Sequence, residues 1–194
     1  KYGVQVQSLL KKAAALDIKT IAPLHGPVLK ENLGYYLDLY NTWSSYGVES
    51  EGVLVAFASI HGNTRKAAEK IASILEKQGA KKVVVSDLSR DDEAEVIEDA
   101  FRYGRMIVAA PTYDGGLFPP MESFLSHLKS KNYQKRTVGI IENGTWAPMS
   151  GKLMKAALES MKEIKICDTV VTIKSALKAE QEDSLVALAK EVLA

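Results

Sequence analysis

Short apolar runs alternate with longer amphipathic segments of helical period along residues 51–194. Residues 53–58 are apolar without alternation, which is typical of a parallel strand buried on both faces. The same criteria predict strands over 82–86, 105–110, 137–142 and 166–173, and helices over 63–78, 93–103, 118–129, 150–162 and 180–193. Pro111 is predicted to end the third strand. Because helices separate the strands, the pattern predicts an α/β fold with a doubly wound, five-stranded parallel sheet of order 2-1-3-4-5.

Residues 1–50 do not follow this alternation. An amphipathic helix is predicted over 4–16, a short strand over 19–22 and an aromatic-rich helix over 33–46, followed by a polar linker. About fifty residues rarely hold a core of their own, so this appendage is expected to be the end of another domain. The chain also starts at Lys1 rather than methionine, which favours a piece of a longer protein. Two regions are predicted, 1–50 and 51–194.

Charge and cysteine content exclude several classes of function. Basic and acidic side chains number 25 and 24, so electrostatics give no argument for binding nucleic acid or an anionic membrane. No apolar run approaches the roughly 20 residues of a membrane helix. Cys167 is the single cysteine, which excludes an internal disulfide and makes a reducing cytoplasm the expected location. Its position in the fifth strand predicts a packed residue rather than a nucleophile.

The loop after the first strand has the composition of an anion site. Its residues are Ser59, Ile60, His61, Gly62, Asn63 and Thr64. The loop combines hydroxyls, an amide and a glycine at the start of a helix, where free N–H groups favour a phosphate. A simple helix cap by Ser59 or Asn63 explains the same residues. The chain contains neither a Walker loop nor a Gly-x-Gly-x-x-Gly motif.

Two further loops are expected at the same edge of the sheet. The loop after the third strand is Pro111, Thr112, Tyr113, Asp114, Gly115 and Gly116, and the loop after the fourth is Glu142, Asn143, Gly144, Thr145 and Trp146. Glycines permit close approach of a flat ligand, although Asp-Gly is also a common turn pair. An indole in a solvent-facing loop suggests a ring that covers a ligand. Together the loops predict a planar aromatic ligand that carries a phosphate.

These three loops, in this order and spacing, resemble the flavodoxin-like domain of the flavodiiron proteins, which are also called A-type flavoproteins or rubredoxin:oxygen oxidoreductases. The resemblance covers residues 52–194 and implies that FMN is bound by the loop residues given above. The first loop would hold the phosphate, and Tyr113 and Trp146 would flank the flavin ring. His61 departs from ordinary flavodoxins, which usually carry a hydroxyl residue there.

The segment from Ile21 to Val28 resembles the end of the metallo-β-lactamase-like domain of the same family. His25 aligns with the last ligand of the family's di-iron centre. The other ligands of that centre have no counterpart in this chain, and two irons cannot be held by one imidazole. The resemblance therefore implies a di-iron centre only in a full-length parent.

The resemblance implies an oxidoreductase in which FMN passes electrons to a di-iron centre that reduces O2 or NO. This chain would be the FMN electron carrier, with rubredoxin or another small carrier as donor and a head-to-tail homodimer as the assembly. Two alternatives stay open. One is a flavodoxin-like partner module without cofactor, and the other is an FMN-dependent NAD(P)H or quinone reductase.

Overall fold

A computed structural model describes all residues, 1–194, and divides them into two compact units, Lys1–Glu49 and Ser50–Ala194. The first unit contains the helices α1 (Gly3–Ala13) and α2 (Leu33–Ser44). The side-chain amide of Gln7 joins them by donating to Asn41 Oδ1 at 2.9 Å and to Ser44 Oγ at 2.8 Å. The strand predicted over 19–22 is wrong, because only a single bridge forms there, between Ile21 and Leu29. Prolines at 23 and 27 lack the N–H groups that a longer ladder needs.

The second unit is a six-stranded sheet with helices on both faces. Its strands are β1 (Ser50–Phe57), β2 (Val83–Asp87), β3 (Tyr103–Tyr113), β4 (Gly116–Leu117), β5 (Gln134–Asn143) and β6 (Lys162–Ile173). Its helices are α3 (Asn63–Lys77), α4 (Glu93–Arg102), α5 (Pro119–Ser130), α6 (Ser150–Glu159) and α7 (Glu182–Leu193), with a 3-10 turn at Ala179–Gln181. None of the helices has both the length and the apolar character needed to span a bilayer.

The five long strands are parallel in the order β2-β1-β3-β5-β6, which confirms the predicted doubly wound, flavodoxin-like topology. Alternate residues of β1 enter opposite cores. Val53, Val55 and Phe57 pack in a cluster with α3 and α7. Leu54 and Ala56 belong to the other cluster, with α4, α5 and α6. Burial on both faces explains why the strands read as continuous apolar runs.

The third strand is longer than the sequence predicts. β3 continues through Pro111 to Tyr113, so the prediction that Pro111 ends the strand is wrong. Pro111 is in register with Asn143 of β5, and β4 folds back antiparallel onto Thr112 and Tyr113. Proline lacks an N–H but fits extended backbone near the end of a strand, where one missing donor costs little.

Cys167 is buried in β6 against α7, as the sequence predicts. Burial raises the pKa of its thiol from 9.0 to about 11, and the carboxylate of Glu191 adds to the effect. A raised thiol pKa means that the native chain holds this proton more tightly than the unfolded chain does. The resulting stabilisation is complete below pH 9 and is lost as the pH rises towards 11.

We therefore expect alkylation of native Cys167 by iodoacetamide to accelerate steadily up to pH 10, because the thiolate fraction keeps growing. The alkylation rate of the urea-unfolded chain should instead level off near the ordinary thiol pKa of about 9. Mass spectrometry of the alkylated chain measures both profiles, with circular dichroism recording that the native sample stays folded. A native profile that levels off at pH 9 would contradict the raised pKa of this thiol.

Candidate functional site

The candidate site lies at the carboxyl ends of β1, β3 and β5. The chain order of the sheet reverses here, because β1 pairs with β2 on one side and with β3 on the other. Crevices in open parallel sheets form outside the strand ends at such a switch point. The three predicted loops therefore begin at one edge of the sheet. The N–H of Ala58, directly after β1, donates to Ala109 O of β3 at 2.9 Å.

The first loop forms a tight turn onto the N-terminus of α3. Gly62 has a φ of +83°, and its N–H donates to Ser59 Oγ at 3.1 Å. A left-handed backbone at this point is easy for glycine and strained for other residues. No side chain caps α3, so the N–H groups of its first turn stay open to an anion. Ser59 therefore shapes the turn and does not cap the helix.

The other members of the first loop differ in exposure. Ile60 and His61 are exposed, and Asn63 is half-buried at the first position of α3. Thr64 is buried, and its hydroxyl oxygen accepts a hydrogen bond from Asn143 Nδ2 at 3.3 Å. This bond joins the first loop to the third.

The second loop is a hairpin rather than an open glycine loop. Asp114 and Gly115 both have positive φ, +50° and +70°, as the central residues of a type I′ turn require. Gly116 then pairs back with Tyr113, so the common-turn explanation of this Asp-Gly pair is correct. The ring of Tyr113 is 50% exposed and lies 5.6 Å from the ring of Phe118, measured between centroids.

Thr112 links the second loop to the third. Its Oγ1 accepts hydrogen bonds from the backbone N–H groups of Met149 at 2.8 Å and Ser150 at 3.0 Å. These groups lie at the start of α6, so Thr112 supplies a helix cap from a distant part of the chain. The ends of both loops are thereby held at one position.

The third loop is anchored at its start and exposed at its tip. Glu142 accepts from Gly151 N–H at 2.9 Å and from Thr172 Oγ1 at 2.8 Å, which ties the strand end to α6 and β6. The N–H of Gly144 donates to Ile173 O at 3.0 Å. Thr145 is also exposed, and the indole of Trp146 is 90% exposed. So large an apolar ring in solvent is expected where it covers a ligand.

The hydrogen bonds thus connect all three predicted loops but give their side chains different surroundings. Glu142, Asn143 and Thr112 are occupied with contacts to the protein, whereas His61, Tyr113 and Trp146 face outwards. A fourth segment was missed by sequence reasoning, since Ser175 between β6 and α7 bonds to Asn143. The sequence could have indicated this segment, because Ser175 follows β6, the fifth predicted strand, and β6 ends at the same edge of the sheet.

His25 lies in an exposed turn of the first unit. No group of three histidine, cysteine, aspartate or glutamate side chains in the chain is placed to hold a metal ion. The residues present therefore do not fit a di-iron centre, which needs several imidazole and carboxylate ligands.

Comparison with known proteins agrees with this geometry. The family described as "Flavodoxin domain" matches residues 54–179, a range that contains all three loops. Coenzyme F420H(2) oxidase of Methanothermobacter marburgensis is 30% identical over 118 residues, which are 61% of this chain and 28% of that protein. Anaerobic nitric oxide reductase flavorubredoxin of Escherichia coli is 22% identical over 156 residues, covering 77% of this chain and 32% of that protein.

Rubredoxin oxygen:oxidoreductase from Desulfovibrio gigas shares the fold, with a TM-score of 0.90 at 18% identity over 98% of this chain and 48% of that chain. This chain thus spans about half of that rubredoxin oxygen:oxidoreductase, and its matched part spans about a third or less of the curated relatives.

Proposed function

The chain belongs to the flavodoxin domain family, and from that membership we propose that it is the FMN-binding electron-transfer domain of a flavodiiron-type oxidoreductase. One observation carries the proposal. The uncapped N-terminus of α3 opens at the same sheet edge as the exposed rings of Tyr113 and Trp146. An anion site and exposed aromatic rings at one switch point suit a phosphorylated planar cofactor.

The first loop is proposed to hold the phosphate. The N–H groups at the start of α3 would donate to it, and the positive end of the helix dipole favours its charge. Ser59 keeps the turn open by accepting the Gly62 N–H, so the loop exists before a ligand arrives. A preformed loop lowers the ordering cost of binding. His61 and Asn63 lie on the same turn and would complete the phosphate site.

The second and third loops are proposed to hold the ring. Tyr113 and Trp146 would cover its faces, with the backbone of Asp114, Gly115, Gly116 and Gly144 beside it. Thr112 keeps these loops in place through its two bonds to the start of α6. FMN, when bound, would supply one-electron transfer chemistry, and the chain would orient it and exclude water from it.

Within a whole flavodiiron-type oxidoreductase, this chain would deliver electrons rather than reduce O2 or NO. The names of the relatives support that context, since one is called a nitric oxide reductase and another a rubredoxin oxygen:oxidoreductase. A small carrier such as rubredoxin is the proposed donor, and a separate di-iron domain the acceptor. A head-to-tail homodimer and a reducing cytoplasmic location belong to the same proposal.

Titration of the chain with FMN, followed by flavin fluorescence and the visible spectrum, tests this function. We expect binding with strong quenching, and we expect Trp146→Ala to weaken it about 10-fold to 100-fold, because stacking on an aromatic ring contributes about 1–3 kcal/mol. Trp146→Phe should retain affinity within about threefold, since a ring remains. Trp43→Phe is the matched control, because Trp43 is the only other tryptophan and lies in the first unit.

Absence of FMN binding by the unmodified chain would overturn the proposal and favour a cofactor-free partner module. Oxidation of NAD(P)H by the FMN-loaded chain, without a separate electron carrier, would instead favour the reductase alternative.

A further inference from the structure

Asn143 is a buried side-chain amide that links two segments at the candidate site. Its side chain is 6% exposed. Nδ2 donates to Ser175 O at 2.9 Å and to Thr64 Oγ1 at 3.3 Å, and Oδ1 accepts from Ser175 N–H at 3.0 Å. The amide therefore uses both of its protons and its oxygen within the protein.

The backbone of Ser175 determines which way this amide points. A flipped amide would place its NH2 against the Ser175 N–H and its oxygen against the Ser175 carbonyl, leaving two unfavourable contacts. Oδ1 must therefore face the N–H of Ser175. Ser175 itself has a φ of +71°, which is uncommon for a residue other than glycine, and the paired bonds with Asn143 help to hold it there. The second amide proton then points to Thr64.

The hydroxyl of Thr64 is thereby given a direction. A hydroxyl has one proton to donate and lone pairs to accept, and Asn143 occupies the accepting side. The only side-chain hydrogen bond of Thr64 Oγ1 is the one that it accepts from Asn143. Thr64 is the second residue of α3, within the uncapped first turn. Its proton is therefore available to an anion at the helix N-terminus.

We infer that Asn143, held by Ser175, is a positioning residue that makes the Thr64 hydroxyl a donor to the phosphate of FMN. The inference rests on the proposed function and goes beyond it, because it gives Asn143 a role at the phosphate instead of the flavin ring. It also makes the loop between β6 and α7 part of the site, although no ligand contact is expected from Ser175.

A double-mutant cycle with two ligands tests the inference. Riboflavin has the same ring as FMN without the phosphate, so the ratio of the two affinities isolates the phosphate contribution. We expect Asn143→Leu to weaken FMN binding about 10-fold, the usual cost of one charge-assisted hydrogen bond, and riboflavin binding less than about threefold. In a Thr64→Val background the same substitution should have no further effect on FMN. Thr64→Ser, which keeps the hydroxyl, should behave like the unmodified chain.

Equal weakening of FMN and riboflavin binding would overturn the inference in favour of a ring contact or a general loss of structure. So would a full effect of Asn143→Leu in the Thr64→Val background. If the Asn143→Leu protein fails to fold, Asn143→Asp is used instead. Aspartate adds repulsion against the phosphate, but this repulsion is the same in the unmodified and Thr64→Val backgrounds and therefore cancels in the cycle. If the unmodified chain does not bind FMN, the proposed function itself is overturned. That result is distinct from the one in which FMN binds but the effects of the two substitutions simply add.

Discussion

Replacing Ser59 by aspartate is expected to lower the affinity for FMN by at least about 100-fold, because it puts a second negative charge into the proposed phosphate site. The Ser59 hydroxyl accepts the Gly62 N–H at 3.1 Å, and an aspartate carboxylate can accept the same bond. Two like charges about 4 Å apart repel by about 4 kcal/mol near a protein surface, and about 2.7 kcal/mol already corresponds to 100-fold.

The same substitution should raise stability slightly. A carboxylate beside the N-terminus of α3 interacts favourably with the helix dipole, which contributes about 0.5 kcal/mol. The affinity for FMN should therefore fall while the free energy of unfolding rises. A damaged loop could not produce this combination, because it would lower both. Ser59→Ala is the matched control, since it loses the bond without adding charge. Riboflavin binding should barely change in Ser59→Asp, and an unchanged FMN affinity would mean that the phosphate lies elsewhere.

Replacing Arg136 by methionine is expected to lower the free energy of unfolding by about 3 kcal/mol or more. Arg136 is 3% exposed at the start of β5. Its guanidinium donates to the carbonyl oxygens of Phe101 at 2.6 Å, Tyr103 at 2.8 Å, Lys135 at 3.1 Å and Gln134 at 3.2 Å. These bonds fasten the end of α4 and the starts of β3 and β5 together.

The cost arises from the carbonyls that methionine leaves without these donors. Burial lowers the pKa of the Arg136 guanidinium, because a charge removed from water costs free energy. Methionine removes that cost and keeps much of the side-chain volume. The bonds to Tyr103 and Gln134 are buried, however, and a buried carbonyl that loses its partner costs about 1–3 kcal/mol. We expect the loss of several such bonds to exceed the gain.

Tyr133→Phe is the matched control for this prediction. The Tyr133 hydroxyl is also buried but has no hydrogen-bond partner, and burial raises its pKa. Removing it should leave stability unchanged or raise it by about 1 kcal/mol, because an unsatisfied polar group disappears. Urea unfolding monitored by circular dichroism measures both variants. A stable Arg136→Met protein would show that water satisfies these carbonyls equally well.

Local pattern was sufficient to predict the five parallel strands of the sheet but not β4, because each apolar run and each helical period is set by neighbouring residues. The first site loop also followed from short-range chemistry, with Gly62 and the start of α3 where the sequence predicted them. The end of the third strand was predicted wrongly because Pro111 commonly stops a strand, and its pairing with Asn143 of β5 depends on a residue 32 positions away. The buried position of Arg136 gave no local signal, since arginine is usually exposed.

The sequence by itself thus determined the order of the five long strands and of the helices between them, the edge of the sheet that carries the loops and the types of residue placed there. Only the tertiary structure decided which of those residues are hydrogen-bonded to other segments of the chain and which remain exposed to a ligand. Thr112 caps α6, Asn143 is bonded to Ser175 and Thr64, and Trp146 remains exposed. Hydrogen bonds between distant segments depend on how the strands and helices pack, and no local pattern of apolar and polar residues encodes that packing.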